Sequence, residues 1–421
     1  MRPHQTGRQP ASGAPAAGPT TRVLLFTGKG GVGKTTTAAA AALSAARGGI
    51  RTLVLSTDAA HSLGDAFDVD LSGGTPVQIE DGLHALQVNG RAHFDGSWTV
   101  VHAYLVQTLS ALGVDPLVAE EMTSLPGADE IAALLELRAQ VESRMWDLVV
   151  VDCAPTAETL RMLALPENLA WHLGRIIPGT VGLRRAARPA AAAALGIPLP
   201  DIEVLSVIRD WYAEMVAVRA ILGSERASVR LVTTSEAVVI AESRRTWTSL
   251  SLYGFAVDAI YVNKILPSVV AGDHGPAADW LASWNEAQRR GLAEVATSFV
   301  GIPVVQAPYL AREPVGVDAL AALGSAWIDA DLTPILQPVA AAAMQVERTD
   351  SGYTLALRLP LASASDVGLQ RREDDLILTV GEHRRIVTLP SVLTRCTVSG
   401  ASVRGGSLTV GFVPDPAQWP R

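Results

Sequence analysis

From Val23 to about residue 328, short β-rich apolar runs alternate with longer stretches whose apolar residues fall at helical spacing. Apolar runs bounded by turn formers read as strands buried on both faces, so the alternation predicts a mostly parallel sheet covered by helices on either side. The expected strands are Val23 to Thr27, Thr52 to Ser56, Leu148 to Asp152, Arg230 to Thr234, Ala259 to Asn263 and Pro303 to Gln306. Two segments of helical character, about 98–146 and 160–228, flank the third strand. Ile131, Leu134, Leu135 and Val141 show the spacing, and together the segments predict a helical subdomain on one side of the sheet.

The pattern changes at 330–343, where two prolines and an alanine run read as a linker. Beyond it helical signals stop. Tyr353, Leu355, Leu357 and Leu359 alternate with other residues, as do Leu376, Leu378 and Val380, and Leu408, Val410 and Phe412, which predicts a small antiparallel β-sandwich over 344–415. Residues 1–20, rich in Pro, Gly and Ala without an apolar signal-peptide core, read as a disordered leader and 416–421 as a tail, leaving 21–329 as the α/β unit.

Composition removes several function classes. The chain of 421 residues is 48% hydrophobic with a mean hydropathy of +0.25, yet much of that is alanine, and no uninterrupted apolar span of about 18 residues occurs, so no stable membrane insertion is expected. The longest uncharged stretch, Val295 to Ala311, carries Pro303 and Pro308 and reads as a buried strand with turns at both ends. Lys and Arg number 34 against 42 Asp and Glu, for a net charge of −8, which argues against general nucleic-acid binding. The basic run Arg184, Arg185 and Arg188 reads as a solvated loop. Two cysteines, Cys153 and Cys396, fall in different expected units, so they build neither a disulfide framework nor a CxxC zinc clasp; a reducing cytoplasm fits.

The chemistry is concentrated between Gly28 and Thr36. Gly28-Lys29-Gly30-Gly31-Val32-Gly33-Lys34-Thr35 follows a strand and opens an alanine-rich helix, which is the phosphate loop in its required context. Its glycines let several amide N–H groups converge on one anion, and the helix adds the positive end of its dipole. Lys34 is expected to bridge the β- and γ-phosphates of ATP, Thr35 to give its hydroxyl to Mg²⁺, and Thr36 to assist at the α-phosphate. The fold class expected is α/β: a P-loop NTPase with a mostly parallel sheet and helical insertions, followed by a small all-β sandwich.

The second lysine, Lys29, makes the loop a deviant Walker A motif. It resembles the class holding the arsenite-pump ATPase ArsA, the guided-entry ATPase for tail-anchored membrane proteins, MinD and ParA, and the nitrogenase iron protein. The resemblance implies a homodimer in which Lys29 reaches the partner's nucleotide, a role like that of an arginine finger, worth roughly 10³ to 10⁵ in rate. Ser56-Thr57-Asp58-Ala59-Ala60-His61-Ser62-Leu63-Gly64-Asp65-Ala66-Phe67 resembles the first switch of the ArsA and guided-entry branch, with alanine for proline at 59. There Asp58 would orient the attacking water, and His61 and Ser62 would order the switch. Asp152-Cys153-Ala154-Pro155-Thr156 resembles the second switch, with Asp152 as the Walker B carboxylate and Pro155 and Thr156 as switch residues. Thr35, Asp58 and Asp152 are then the Mg²⁺ set. Ala157-Glu158 stands where the branch has Gly-His, a departure that bears on hydrolysis rate or switch coupling. Asn263 resembles the branch's adenine-reading residue, and Pro308 to Gly316 the loop over the base. Pro126 to Glu130 also matches a segment of the branch.

Within that branch the chain lacks a metalloid cysteine cluster and the CxxC clasp, and its six methionines are scattered. The tail resembles an α-crystallin-like small-heat-shock domain. Three activities follow as expectations: an ATPase that hydrolyses Mg-ATP to bind or target a hydrophobic, membrane-protein client; a nucleotide-gated scaffold with little hydrolysis; or the ATPase subunit of an arsenite or oxyanion pump. The expected location is the cytoplasm, free or peripherally on a membrane.

Overall fold

A computed structural model describes residues 21–58, 62–88, 97–111, 113–115, 128–154, 156, 159–160, 162–167, 201–269, 274–327, 335–340 and 344–418. The leader 1–20, the basic run at 184–188, Pro126 and Gly127, the first residues of the linker and the last of the tail lie outside the described residues.

Among the described residues, eight strands form one sheet in the order β3-β4-β2-β5-β1-β6-β7-β8. They are β1 (Arg22–Thr27), β2 (Thr52–Ser56), β3 (Val77–Glu80), β4 (Leu83–Gln87), β5 (Leu148–Asp152), β6 (Ala227–Thr233), β7 (Val257–Ile265) and β8 (Val304–Pro308). All neighbours run parallel except the edge pair β3 and β4. Strand β1 lies between β5 and β6, with Phe26 opposite Asp152 on one side and Arg230 on the other. The side chains of β1 alternate between two cores: Val23 and Leu25 join one, Leu24 and Phe26 the other. A strand buried on both faces reads as a continuous apolar run, which is why RVLLFT is so uniform.

Helix α1 (Lys34–Arg47) lies on the Leu24 face and is buried from Thr37 through Leu43. Its alanines suit a position squeezed between the sheet and a covering helix, where larger side chains would not fit. Helices α2 (Ser62–Phe67), α3 (Ser97–Ala111), α4 (Ala128–Glu142), α5 (Ile202–Leu222), α6 (Ala237–Leu252), α7 (Pro276–Ser298) and α8 (Val317–Ser325) complete the layers. Leu134, Leu137 and Val141 of α4 and Met215 and Val218 of α5 enter the Val23 core, so these insertions share one face of the sheet.

Past the linker, a four-stranded sheet, β9 (Gln345–Thr349), β10 (Gly352–Arg358), β14 (Cys396–Arg404) and β15 (Ser407–Pro414), faces a three-stranded one, β11 (Val367–Arg372), β12 (Asp375–Val380) and β13 (His383–Thr388). Leu355, Leu357, Leu359, Leu376, Leu378, Val380, Leu408, Val410 and Phe412 fill the space between them, as their alternation in sequence predicts. Leu252 of α6 is buried in this same core, so the two units share apolar contact.

Three details differ from the sequence reading. Strands β3 and β4 form the edge beyond β2, where no strand is expected; β3 is a half-exposed polar edge, and β4, though largely buried, carries His84 and Gln87, which break up its apolar run. Most of the first half of the uncharged stretch Val295 to Ala311 is the end of α7 and a turn, and only Val304–Pro308 is strand. A four-residue helix, α9 (Ser391–Thr394), and a 3₁₀ turn at Ala364–Asp366 occur in the β-unit, where the sequence pattern predicts no helix.

Candidate nucleotide site

The loop between β1 and α1 is held by close backbone contact. A Cβ at Gly28 would lie 2.1 Å from the Val232 carbonyl oxygen, so glycine is required where the loop crosses β6. Gly31 and Gly33 have φ of 81° and 89°. Gly33 caps α1, its carbonyl accepting from the Thr37 amide at 3.0 Å and the Thr37 hydroxyl at 2.7 Å.

Lys34 is 6% exposed, with its ammonium 3.4 Å from the Lys29 carbonyl oxygen. Lys29 turns the other way and pairs with Glu242 at 3.5 Å. Asn263, near the end of β7, donates from Nδ2 to the Val32 carbonyl at 2.9 Å and accepts at Oδ1 from the Lys264 amide at 2.8 Å, so one end of its amide braces the loop while the other is held by its own strand. Lys264 adds a bond from Nζ to the Gly31 carbonyl at 2.7 Å. Lys264 lies beside Asn263 in the same segment, and its bond to the loop is not legible in the sequence.

Asp152 ends β5 beside the loop, fully buried. Its Oδ2 accepts from the Ser56 hydroxyl at 3.3 Å, and Oδ1 has no hydrogen-bond partner among the described residues. Burial pushes its pKa up to about 7, with the charge of Asp58 adding to the rise; the nearby Thr35 and Ser56 hydroxyls and the charge of Lys34 oppose it. A carboxylate in this state suits a cation close by. The Thr35 hydroxyl, 3.1 Å from Ser62 Oγ, supplies a second oxygen at the same place. The donor set therefore fits Mg²⁺, which typically takes one or two protein oxygens and leaves the rest of its shell to water and phosphate. Among the described residues no group of three or more His, Cys, Asp or Glu side chains could hold a metal by itself.

The two segments that resemble switches start from neighbouring strand ends and are bonded together. The Thr57 amide donates to the Asp152 carbonyl at 2.9 Å, and the Ala154 amide to Thr57 Oγ1 at 3.3 Å. The Asp58 amide donates to Ser56 Oγ at 3.2 Å, while its carbonyl accepts from Gln87 Nε2 at 2.7 Å. Gln87 is a residue that sequence reasoning missed, because it sits on the unforeseen strand β4. A cleft of about 730 Å³ beside the loop is lined by Lys34, Thr35, Asp58, Ser62, Asn263 and Pro308, among others. Thr36 also lines it. Thr156 instead faces a second cleft, against the β-unit. His61, Pro155, Ala157 and Glu158 lie outside the described residues.

A strand, a glycine loop with left-handed turns, a helix and a buried carboxylate on the adjacent parallel strand define the P-loop NTPase class. Residues 21–329 match the family described as anion-transporting ATPase, and residues 350–412 the HSP20-like domain found in ArsA. The chain belongs to the anion-transporting, ArsA-type ATPase family. It is 37% identical to an uncharacterized protein of Streptomyces coelicolor, over 95% of this chain and 99% of the other. It is 34% identical to a Chlorobaculum tepidum protein with a provisional arsenical pump-driving ATPase name, over 89% of this chain and 91% of that one. An ATPase ASNA1 homolog of Trypanosoma cruzi is 29% identical over 72% of this chain and 92% of its own length.

Proposed function

We propose that the protein is a dimeric switch that binds Mg-ATP, hydrolyses it, and uses the cycle to bind or target a hydrophobic client such as a membrane-protein segment. The observation that carries this is Asp152: a fully buried carboxylate with one unpartnered oxygen, next to a buried loop lysine and the Thr35 hydroxyl. A bound triphosphate with its cation would give that oxygen and that lysine their partners.

In this reading the amides of Gly30, Gly31, Val32 and Gly33 bind the phosphates, and Lys34 neutralises the β- and γ-oxygens. Thr36 completes the phosphate contacts, and Asn263 and the Pro308 loop flank the base. Mg²⁺ would be held by Thr35 and Asp152, with Asp58 at its edge, and supplies positive charge to the triphosphate. Asp58 accepts a hydrogen bond from the attacking water and aligns it with the γ-phosphorus; the products are ADP and phosphate. Lys29 of the partner protomer adds a cation as charge builds on the transferring group. His61, Ser62, Pro155 and Thr156 relay the loss of the γ-phosphate to the helices.

The pump reading is less well supported. Both cysteines are buried, one in the large sheet and one in the β-unit, whereas trivalent arsenic needs accessible thiolates close together.

The test is steady-state ATP hydrolysis by the wild type and Asp58→Asn, each sedimented with and without Mg-ATP. Turnover lost in the variant while the nucleotide-bound dimer persists supports the reading. If neither protein hydrolyses ATP but both bind it and dimerise, the protein is a nucleotide-gated scaffold.

A further inference from the structure

We propose that Glu242 is a positioning residue for Lys29: it holds the loop lysine against its own protomer, and nucleotide-driven dimerisation has to break that pair. The proposal rests on the dimeric reading above. Lys29 Nζ lies 3.5 Å from Glu242 Oε2, with the two side chains 40% and 29% exposed. The two lysines of the loop are thus divided. Lys34 is buried under the loop, whereas Lys29 leans across to α6.

The topology sets this contact. Helix α6 follows β6, and the Val232 carbonyl of β6 abuts Gly28, so the start of α6 and the loop are fixed with respect to each other. Glu242 also lines a cleft of about 720 Å³ between α6 and the β-unit, together with Thr156 and Leu160 on the second-switch side and Leu361 and His383 on the other. Thr156 is 8% exposed, and its hydroxyl has no hydrogen-bond partner among the described residues. Glu242 therefore stands between the loop lysine, the second switch and the β-unit. Arg245 lines the same cleft three residues further along the helix, and it is a cation to which the Glu242 carboxylate can turn once Lys29 leaves.

A half-exposed ion pair is weak, so it delays Lys29 without trapping it. A symmetric dimer breaks two such pairs, so the effect of each enters the dimerisation constant twice. Removing the carboxylate is expected to lower the half-dimerisation concentration about five-fold.

The experiment measures that concentration for the full chain by sedimentation with Mg²⁺ and a non-hydrolysable ATP analogue. Glu242→Gln keeps the shape of the side chain and removes its charge; Glu242→Lys repels Lys29 and is expected to shift the midpoint further the same way. Lys29→Met raises the midpoint, and in that background Glu242→Gln changes nothing. Turnover per protomer rises in Glu242→Gln at low protein concentration and converges with wild type at high concentration. A Glu242→Gln shift that is equal in both backgrounds, or absent in both, overturns the proposal, because Glu242 then acts without Lys29. If wild type and Lys29→Met both stay monomeric with the analogue, it is the dimeric reading that fails.

Discussion

Arg385 Nε lies 3.1 and 3.2 Å from the two carboxylate oxygens of Glu167, and its Nη2 lies 3.1 Å from one of them, which clamps the β-unit to the helical run 162–167 after the second switch. Nη1 of the same guanidinium donates to the Leu252 carbonyl at the end of α6 at 2.7 Å. Arg219 is the other cation near Glu167, at 3.9 Å. One planar fork thus ties three elements, a geometry lysine cannot reproduce. Arg385→Ala is expected to cost about 2 kcal/mol of unfolding free energy, since Glu167 keeps one distant partner and some solvent. Arg385→Lys recovers less than half of it. Urea unfolding checks both, and a loss below about 0.5 kcal/mol for the alanine variant would mean the clamp is ornamental.

The phosphate loop gives a sharper contrast. At Gly28 a methyl group meets the backbone oxygen of Val232 at 2.1 Å, and a backbone atom in a central strand cannot step aside. At Gly30 nothing lies within 4 Å. Gly28→Ala should destabilise the nucleotide-free protein by about 1–3 kcal/mol, and Gly30→Ala by less than about 0.5 kcal/mol. Thermal melts of the two variants side by side decide it; equal effects would show that the loop yields at Gly28.

How far the sequence was legible follows from the range of each contact. Val23 to Thr27 and Leu148 to Asp152 read correctly because both faces of these strands are buried and the apolar run is unbroken. The alternation of Leu376, Leu378 and Val380 likewise marks the face of β12 that enters the core between the two small sheets. Strands β3 and β4 escaped notice because an edge pair with Gln78, His84 and Gln87 carries neither pattern. In the site, the loop is legible because its residues are contiguous. Glu242 and Gln87 are not, for they reach Lys29 and Asp58 only through the order of the strands.

Asp152 makes stability depend on pH. Folding raises its pKa from the ordinary 3.8 to about 7, so the folded protein binds the proton more tightly than the unfolded chain. Its contribution is greatest below 3.8 and is lost as pH rises through about 7. With EDTA and no nucleotide, Asp152→Asn should therefore be more stable than wild type at pH 8, by up to about 4 kcal/mol, and the gap should close toward pH 4. Mg-ATP should then stabilise the wild type more than the variant. Unfolding free energies across pH 4–8 measure this, and a gap that does not change with pH would count against a buried proton on Asp152.

Cys153 and Cys396 bear on whether metalloid enters the cycle at all. Cys153 is 0% exposed among the apolar residues of the large sheet, and Cys396 is 2% exposed in the core of the β-unit. Burial pushes the Cys153 thiol well above its ordinary range, so it stays protonated and poorly nucleophilic. A soft trivalent ion needs thiolates that converge, and two thiols in separate cores offer no such site without unfolding. Arsenite or antimonite at millimolar concentration is therefore expected to leave ATP turnover unchanged. A thiol-reactive dye should label neither cysteine in the native protein and both in denaturant. Stimulated turnover that disappears in Cys153→Ser would reverse the argument, since it requires a rearranged state in which that sulfur leaves the sheet and binds the metalloid, and the pump reading would then displace the client one.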